Sequence, residues 1–143
     1  MAASPASRMT SWTIGHTNRF KAAVVGAGVT DLLSFQAADI PSWLPGQMMV
    51  AQPWEDQQIY LQLSPITYVG EVTTPTLIPH GEADERVPLG QGKELYAALR
   101  ARGVPVEMVI YPREGHLIWE LAHQRDLLER VVEWYDRWLK RSE

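Results

Sequence analysis

Two short apolar segments, each followed by a polar loop, constrain the fold of this chain more than any other feature of its sequence. The first runs from Thr76 to His80 and leads into a loop that contains Asp84, and the second runs from Val106 to Tyr111 and leads into a loop that contains His116. Apolar segments of this length, bounded by turn residues, are typical of buried parallel strands. Because ligands bind outside the carboxyl ends of parallel strands, we expect Asp84 and His116 to emerge at one edge of the sheet.

Helical patterns lie before, between and after these strands. The spacing of apolar residues and the positions of glycine and proline predict helices over 4–18, 30–38, 54–63, 88–103 and 121–140, and strands over 21–28, 76–80 and 106–111. Strands that alternate with helices indicate an α/β fold, in which helices flank a parallel sheet. Pro79 is the exception within the pattern. Proline has no backbone N–H, so it would remove a hydrogen bond between strands if the sheet needs a donor at that position.

The composition fits one globular domain over residues 1–143. A formal charge of -4 with scattered basic residues gives no reason to expect nucleic acid or an anionic membrane as partner. The absence of cysteine removes disulfides, thiolate metal sites and cysteine nucleophiles. The sequence has no apolar run of transmembrane length and no signal-peptide pattern, so we expect a cytoplasmic protein.

A long irregular segment interrupts the α/β pattern. It is punctuated by Pro41, Pro45 and Pro53 and contains Trp43 and Trp54. Loops of this length often form lids or binding segments, and two tryptophans favour a packed segment over a disordered one. For either tryptophan alone we favour packing in the local core over substrate contact.

Asp84 and His116 are the candidates for catalytic chemistry. An aspartate placed just after a strand can hold a catalytic histidine in the correct tautomer, and histidine transfers protons near neutral pH. Asp84 taken alone is better explained as a solvated turn residue that caps the helix at Pro88. His116 taken alone could equally be a packed or solvent-facing loop histidine, and the other three histidines have no comparable setting.

Two further patterns suggest ligand sites, and we reject both. His80, Glu82 and Asp84 alternate in the way that metal ligands on one strand do, but a glycine interrupts the strand between them and no His-Glu-x-x-His motif occurs. Gly26 and Gly28 lack the third glycine of a dinucleotide-binding loop and fit a turn at the end of a strand. We therefore expect neither a metal nor a cofactor.

Several stretches occur in the order Asn18–Ala23, Ser64–Ile66, Pro75–Ile78 with His80–Pro88, and Tyr111–His116. Together they resemble the C-terminal half of the catalytic domain of a prolyl oligopeptidase-family serine peptidase, of the acylaminoacyl-peptidase or dipeptidyl-aminopeptidase type. The resemblance implies that residues 1–143 form the C-terminal part of an α/β-hydrolase domain, which is a single but incomplete domain. In that family the triad occurs in the order serine, aspartate, histidine. Asp84 then corresponds to the triad acid and His116 to the triad base.

The same resemblance assigns the nucleophile to Ser4. The family has a Gly-Gly-Ser-Tyr-Gly-Gly-Tyr-Met-Thr type stretch here, and counting back from Met9 and Thr10 places its serine at Ser4. Alanine replaces the elbow glycines at positions 2 and 6. Pro5 replaces the residue whose N–H normally contributes to the oxyanion hole, so the oxyanion donors are unknown.

The resemblance implies a hydrolase that cleaves peptides or acyl-peptides through an acyl-enzyme. With Pro5 beside the nucleophile and no strand before it, we expect this chain to be weak or inactive by itself. The alternative is a non-catalytic part of a hydrolase that requires a complementary N-terminal hydrolase fragment or self-association to cover its open sheet edge.

Overall fold

The computed structural model describes residues 5–37 and 52–140. Within these residues the chain forms four α-helices, two 3₁₀ segments and three strands. In chain order they are α1 (Pro5–Ile14), β1 (Ala23–Val24), a 3₁₀ segment (Ser34–Ala37), α2 (Gln57–Leu63), a second 3₁₀ segment (Pro65–Glu71), β2 (Thr76–Gly81), α3 (Leu89–Ala101), β3 (Val106–Tyr111) and α4 (Leu121–Leu139). No described helix is both long enough and apolar enough to cross a membrane.

The three strands form one parallel sheet in the order β1-β2-β3. Leu77 of β2 lies opposite Val24 on one side and Glu107 on the other. β2 is the middle strand and every one of its residues is buried, which explains why its sequence is a continuous apolar segment instead of an alternating one. Because the three strands are parallel, the loops after β2 and β3 both leave the sheet at the carboxyl ends of the strands.

Pro79 accounts for the shortness of β1. Main-chain N–H groups approaching β2 donate to alternate carbonyls, from Ala23 to Pro75 at 2.9 Å, from Val25 to Leu77 at 2.8 Å and from Ala27 to Pro79 at 3.1 Å. The N–H and C=O of one residue in a parallel strand face the same neighbour. Pro79 has no N–H to return a bond to the β1 side, so the regular ladder covers two residues where we predicted a strand over 21–28.

One face of the sheet packs against α1 and α3. Ile78 of β2 shares a buried cluster with Ile14 of α1 and with Leu95 and Leu99 of α3. Gly92 lets α3 approach the sheet closely, since a Cβ there would lie 3.4 Å from Ile78 and still closer to neighbouring side chains. The helical spacing of the apolar residues in α3 therefore predicts the face that the structure buries.

The opposite face of the sheet carries α4. Arg137 of α4 pairs with Glu107 of β3, and the Tyr111 hydroxyl at the end of β3 donates to Asp126 of α4 at 2.9 Å. Both β3 residues alternate with those that face α3, so helices cover both faces of the sheet. The α/β fold with a parallel sheet and flanking helices is as predicted.

Two local predictions differ from the structure. The helix predicted over 54–63 begins at Gln57, where Asp56 accepts the backbone N–H of Ile59 at 3.3 Å. Trp54 is 77% exposed, so its predicted packing in the local core is wrong: the turn before α2 directs its side chain outward. Trp43 lies outside the described residues, as do Pro41 and Pro45.

The turn after β1 also differs from expectation. We predicted that glycines end this strand, yet the positive backbone angle falls on Ala27, with φ 45°. Gly28 is required for a different reason, because a Cβ there would lie 2.7 Å from Val25 and 3.2 Å from the carbonyl oxygen of Ser7 in α1. The predicted helix over 30–38 is the 3₁₀ segment, preceded by Asp31, which accepts the N–H of Leu33 at 2.8 Å.

Candidate active site

The loops that follow β2 and β3 are joined by their backbones. The N–H of Glu82 donates to the carbonyl of Tyr111 at 2.9 Å, and the N–H of Ala83 donates to the carbonyl of Glu114 at 2.8 Å. Gly81 makes this contact possible, because a Cβ at that position would lie 2.1 Å from the carbonyl oxygen of Gly115. The two loops therefore hold each other in place before any side chain contributes.

Asp84 and His116 meet across these loops. Nδ1 of His116 lies 2.9 Å from Oδ2 and 3.2 Å from Oδ1 of Asp84. The Asp84 side chain is fully buried, whereas that of His116 is 17% exposed. A carboxylate only accepts hydrogen bonds, so Nδ1 must be the donor and carry a proton. In the neutral imidazole this leaves the lone pair on Nε2.

Nε2 of His116 is the ring nitrogen that Asp84 does not engage. Among residues 5–37 and 52–140, none makes a hydrogen bond to it. An imidazole held in this way can accept a proton at Nε2, and the buried carboxylate stabilises the imidazolium that results. The pair therefore has the geometry of an acid and a general base.

The turn around Asp84 is part of this geometry. Oδ1 of Asp84 accepts the backbone N–H groups of Arg86 at 3.0 Å and of Val87 at 2.9 Å. Asp84 thus binds its own turn, as an aspartate in a turn often does, but it is buried and not solvated. It does not cap the following helix, since the N–H groups that it accepts, those of Arg86 and Val87, precede α3, whose N-cap residue is Pro88.

His80 is a site residue that the sequence did not identify. Its Nε2 lies 2.8 Å from the carbonyl oxygen of Val87 and 3.5 Å from Oδ2 of Asp84. Its side chain is fully buried. Glu82, which we grouped with His80 and Asp84 as possible metal ligands, instead accepts the backbone N–H of Arg113 at 3.2 Å. The position of His80 two residues after Ile78, on the strand face that packs against α3, is the pattern that could have predicted its burial.

Glu114 is the second residue that the sequence did not identify. Its buried carboxylate accepts the backbone N–H groups of Trp119 and Glu120, each at 2.8 Å, and Nδ1 of His123 at 2.8 Å. Burial alone would raise the pKa of Glu114, but the donors from Trp119, His123 and Glu120 outweigh it and lower that pKa. Glu114 therefore closes the short loop that carries His116.

The same cluster is the one group of potential metal ligands among the described residues. Single ligand atoms of Glu114, Glu120 and His123 lie within 4.8 Å of one another. Both oxygens of Glu114 are already occupied by hydrogen bonds, and Nδ1 of His123 is one of the donors. The arrangement is explained by its hydrogen bonds without an ion.

The candidate nucleophile lies outside the described residues. Ser4 immediately precedes α1 in the sequence, and α1 begins at Pro5. A serine directly before a helix is the order found in a nucleophile elbow. The structure thus brings together Asp84 and His116, and the assignment of Ser4 stays a prediction.

Comparison with known proteins gives consistent matches over nearly the whole chain. A model of the prolyl oligopeptidase family matches residues 7–142. The uncharacterized peptidase YuxL of Bacillus subtilis is 34% identical over 135 residues, which are 92% of this chain and 20% of that protein. Dipeptidyl-peptidase 5 of Porphyromonas endodontalis is 36% identical over 137 residues, 91% of this chain and 20% of that protein. The acylaminoacyl peptidase of Pyrococcus horikoshii has a TM-score of 0.85 and 28% identity over 96% of this chain and 23% of that chain.

The chain spans about a fifth of the length of the curated relatives it matches. The structural match identifies the parallel sheet and its flanking helices as part of an α/β-hydrolase fold, which confirms the predicted fold class. Since the family model covers residues 7–142 and includes both loops of the candidate site, this chain belongs to the prolyl oligopeptidase family.

Proposed function

We propose that this chain contributes the acid and the base of a serine peptidase active site, with Asp84 as acid, His116 as general base and Ser4 as nucleophile. One observation carries the proposal: Nδ1 of His116 lies 2.9 Å from the buried carboxylate of Asp84. A histidine oriented by a buried acid, with its other nitrogen free, is the arrangement that a serine hydrolase needs.

The mechanism follows from this orientation. Nε2 of His116 accepts the hydroxyl proton of Ser4 as its oxygen attacks the carbonyl carbon of the substrate. Asp84 stabilises the imidazolium, which then gives the proton to the leaving amine as the peptide bond breaks. Water, deprotonated by His116, attacks the acyl-enzyme, and the acid product leaves as Ser4 regains its proton.

Pro5 limits the rate that we propose for this site. The residue after the nucleophile normally donates its N–H to the oxyanion, and proline has no N–H to donate. Removal of one such donor lowers the rate by roughly 100- to 1000-fold in a serine protease. We therefore propose that hydrolysis by this chain is slow. Peptide bonds, which are less activated than esters, are affected more.

The proposed substrates are peptides or acyl-peptides. Family membership and the names of the similar proteins, a dipeptidyl-peptidase and an acylaminoacyl peptidase, support this class.

A cytoplasmic location remains a prediction of the sequence, and fractionation of the cells that produce the protein would test it.

In the alternative function, this chain is one part of a hydrolase domain and becomes catalytically active only when a partner chain binds it. Within residues 5–37 and 52–140, β1 and β3 are the edge strands of the sheet, and an open edge favours pairing with further strands. One face of α4 also exposes a row of apolar side chains at helical spacing: Leu121, Leu128, Val132, Tyr135 and Leu139. We propose a complementary N-terminal hydrolase fragment or a second copy of this chain as the partner in that case.

A fluorophosphonate probe tests both proposals, since it forms a covalent bond with an activated serine. We expect slow labelling that is lost in Ser4→Ala and in His116→Ala but kept in Ser7→Ala, a matched serine control in α1. Labelling that requires added N-terminal fragment, or that rises more than linearly with protein concentration, would support the partner-dependent alternative. Labelling unaffected by Ser4→Ala, or none under any of these conditions, would contradict the assignment of Ser4.

A further inference from the structure

We propose that His80 is a positioning residue, which holds the carboxylate of Asp84 in line with His116; this inference rests on the proposed roles of Asp84 and His116. His80 is the fifth residue of β2 and is buried. Its ring lies on the sheet face that packs against α3. No hydrogen bond links it directly to His116, so any effect on the base must act through Asp84 and its turn.

The first contact of His80 is with the turn that Asp84 forms. Nε2 of His80 lies 2.8 Å from the carbonyl oxygen of Val87, and the N–H of Val87 donates to Oδ1 of Asp84 at 2.9 Å. A carbonyl only accepts, so Nε2 must carry the proton. Val87 is thereby held at both its N–H and its C=O, and the turn has little freedom to rotate the carboxylate away from His116.

The second contact is electrostatic and reaches the oxygen that His116 uses. Nε2 of His80 lies 3.5 Å from Oδ2 of Asp84, and Nδ1 of His116 lies 2.9 Å from that same atom. The Nε2–H group of His80, which donates to the Val87 carbonyl, therefore lies close to the carboxylate oxygen that orients the base. In a buried site the dipole of such a group has more effect than in water.

The remaining nitrogen of His80 identifies its protonation state. Nδ1 is buried and makes no hydrogen bond to any described residue. A Cβ on Gly92 of α3 would lie 2.7 Å from Nδ1, and Met108 of β3 packs at the same point. A proton on Nδ1 would thus be buried without an acceptor, which is costly.

The pKa of His80 is lowered, chiefly by burial. The Val87 carbonyl and Asp84 raise this pKa, and His116 lowers it further. Asp84 and His116 are the titratable groups that act on it, and α3 and β3 present Gly92 and Met108 to the ring. His80 is therefore a neutral Nε2–H donor at neutral pH. A lysine or a cationic histidine at this position could not serve the same role, since its charge would compete with His116 for Asp84.

Imidazole ¹H–¹⁵N correlation spectra of the labelled chain test the inference without any need for catalysis. In the unmodified protein at pH 7.5 we expect His80 as the Nε2–H tautomer and His116 as the Nδ1–H tautomer, with a downfield Nδ1 proton on His116. Observation of His80 as the Nδ1–H tautomer would overturn the proposal whatever the variants do.

Two variants separate positioning from packing. Gln places its amide nitrogen close to the position of Nε2, so His80→Gln should keep the downfield proton of His116. Asn places its amide nitrogen near Nδ1 and toward Gly92, so His80→Asn should broaden or shift that proton. We also expect His80→Asn to lower the rate of Ser4 labelling by roughly 10- to 100-fold relative to His80→Gln, as expected for a misplaced catalytic group.

If His80→Asn folds, as judged by its far-ultraviolet circular dichroism, and leaves the His116 resonances unchanged, the positioning role is wrong. Equal loss of the His116 signal in His80→Gln and His80→Asn would also contradict it, because ring packing and not the donor would then matter. Absence of Ser4 labelling in the unmodified chain would count against the proposed function alone, since the spectra report the Asp84–His116 geometry independently.

Discussion

Asp84 and Glu114 are both buried carboxylates, and each accepts two backbone N–H groups and Nδ1 of a histidine. For Asp84 the donors are Arg86, Val87 and His116, and for Glu114 they are Trp119, Glu120 and His123. The two histidines are 17% and 18% exposed. A hydrogen bond to a buried acid and partial exposure therefore do not distinguish a catalytic histidine from a structural one in this molecule.

The difference lies in what each pair connects. Glu114 joins residues within one loop and the first turn of α4, and the ring of His123 packs against Tyr111 with centroids 5.3 Å apart. Asp84 joins two loops that are 32 residues apart in the sequence. The local pair fixes the loop that carries His116, and the distant pair can form only once both loops are in place. The proposed chemistry therefore belongs to the Asp84–His116 pair, which joins the loops after two strands, and the Glu114–His123 pair supports the loop that carries His116.

The largest expected difference between the two pairs is in reactivity. In Asp84→Asn the amide nitrogen faces Nδ1 of His116 and favours the wrong tautomer, so we expect Ser4 labelling to fall on the order of 10⁴-fold. Glu114→Gln keeps the shape of its side chain and should lower labelling less than tenfold, while it costs roughly 1–3 kcal/mol of unfolding free energy because an amide replaces an acceptor. Labelling rates and urea unfolding measure the two effects. A folded Glu114→Gln variant that labels as slowly as Asp84→Asn would abolish the distinction.

A second difference concerns acid sensitivity. The pKa of Glu114 is lowered in the folded protein, so the unfolded chain binds more protons as the pH falls, and stability present above the unfolded pKa of about 4.3 is lost below it. The lowered pKa of His80 has the same consequence at higher pH. Stability declines as the pH falls below about 6.5, the pKa of histidine in the unfolded chain. We expect unfolding free energy to decline in these two windows.

Urea unfolding at a series of pH values checks this expectation. Glu114→Gln should flatten the lower window and leave the upper one, and His80→Gln should do the reverse. A wild-type protein whose stability is constant from pH 7 to about pH 5 would show that His80 does not contribute as its hydrogen bond indicates, and one whose stability is constant from about pH 5 to about pH 2.5 would show the same for Glu114.

The smallest effect is expected for Tyr111, which belongs to the Glu114 side of the comparison. Tyr111→Phe removes the hydrogen bond to Asp126 and keeps the ring against His123. Asp126 retains Arg130 as a partner at 2.7 Å, so we expect a loss of about 0.5–1.5 kcal/mol and unchanged Ser4 labelling. The urea midpoint measures the loss of stability. A change in Ser4 labelling would mean that the Asp84–His116 pair and the Glu114–His123 pair are coupled through β3.

Much of the fold follows from patterns in the sequence. β2, β3, α3 and α4 begin and end within a few residues of their predicted bounds, because long periodic segments between turn residues have few alternatives. Errors occur where a neighbour decides the outcome. β1 is short because its partner strand lacks one N–H at Pro79, and Trp54 is exposed because of the turn before α2.

The candidate site was predictable in part, for a related reason. Asp84 and His116 each follow a strand, and the rule that parallel strands present their carboxyl ends together brings the two residues into the same place. His80 and Glu114 gave no comparable indication. Alternation along β2 could have indicated that His80 is buried, but it does not report a hydrogen-bond partner. Glu114 lies in a turn, and its position there reports neither burial nor a partner.

The sequence by itself determined the order of strands and loops, and with it which acid and which histidine could meet. It also determined, through the absence of an N–H at Pro5, that the residue after Ser4 cannot donate to an oxyanion. Only the tertiary structure decided that Asp84 is buried and that His80 and Glu114 hold the two loops. The physical reason is that burial and hydrogen bonding arise from close approaches between distant segments, here at Gly81 and Gly92, which no local periodicity records.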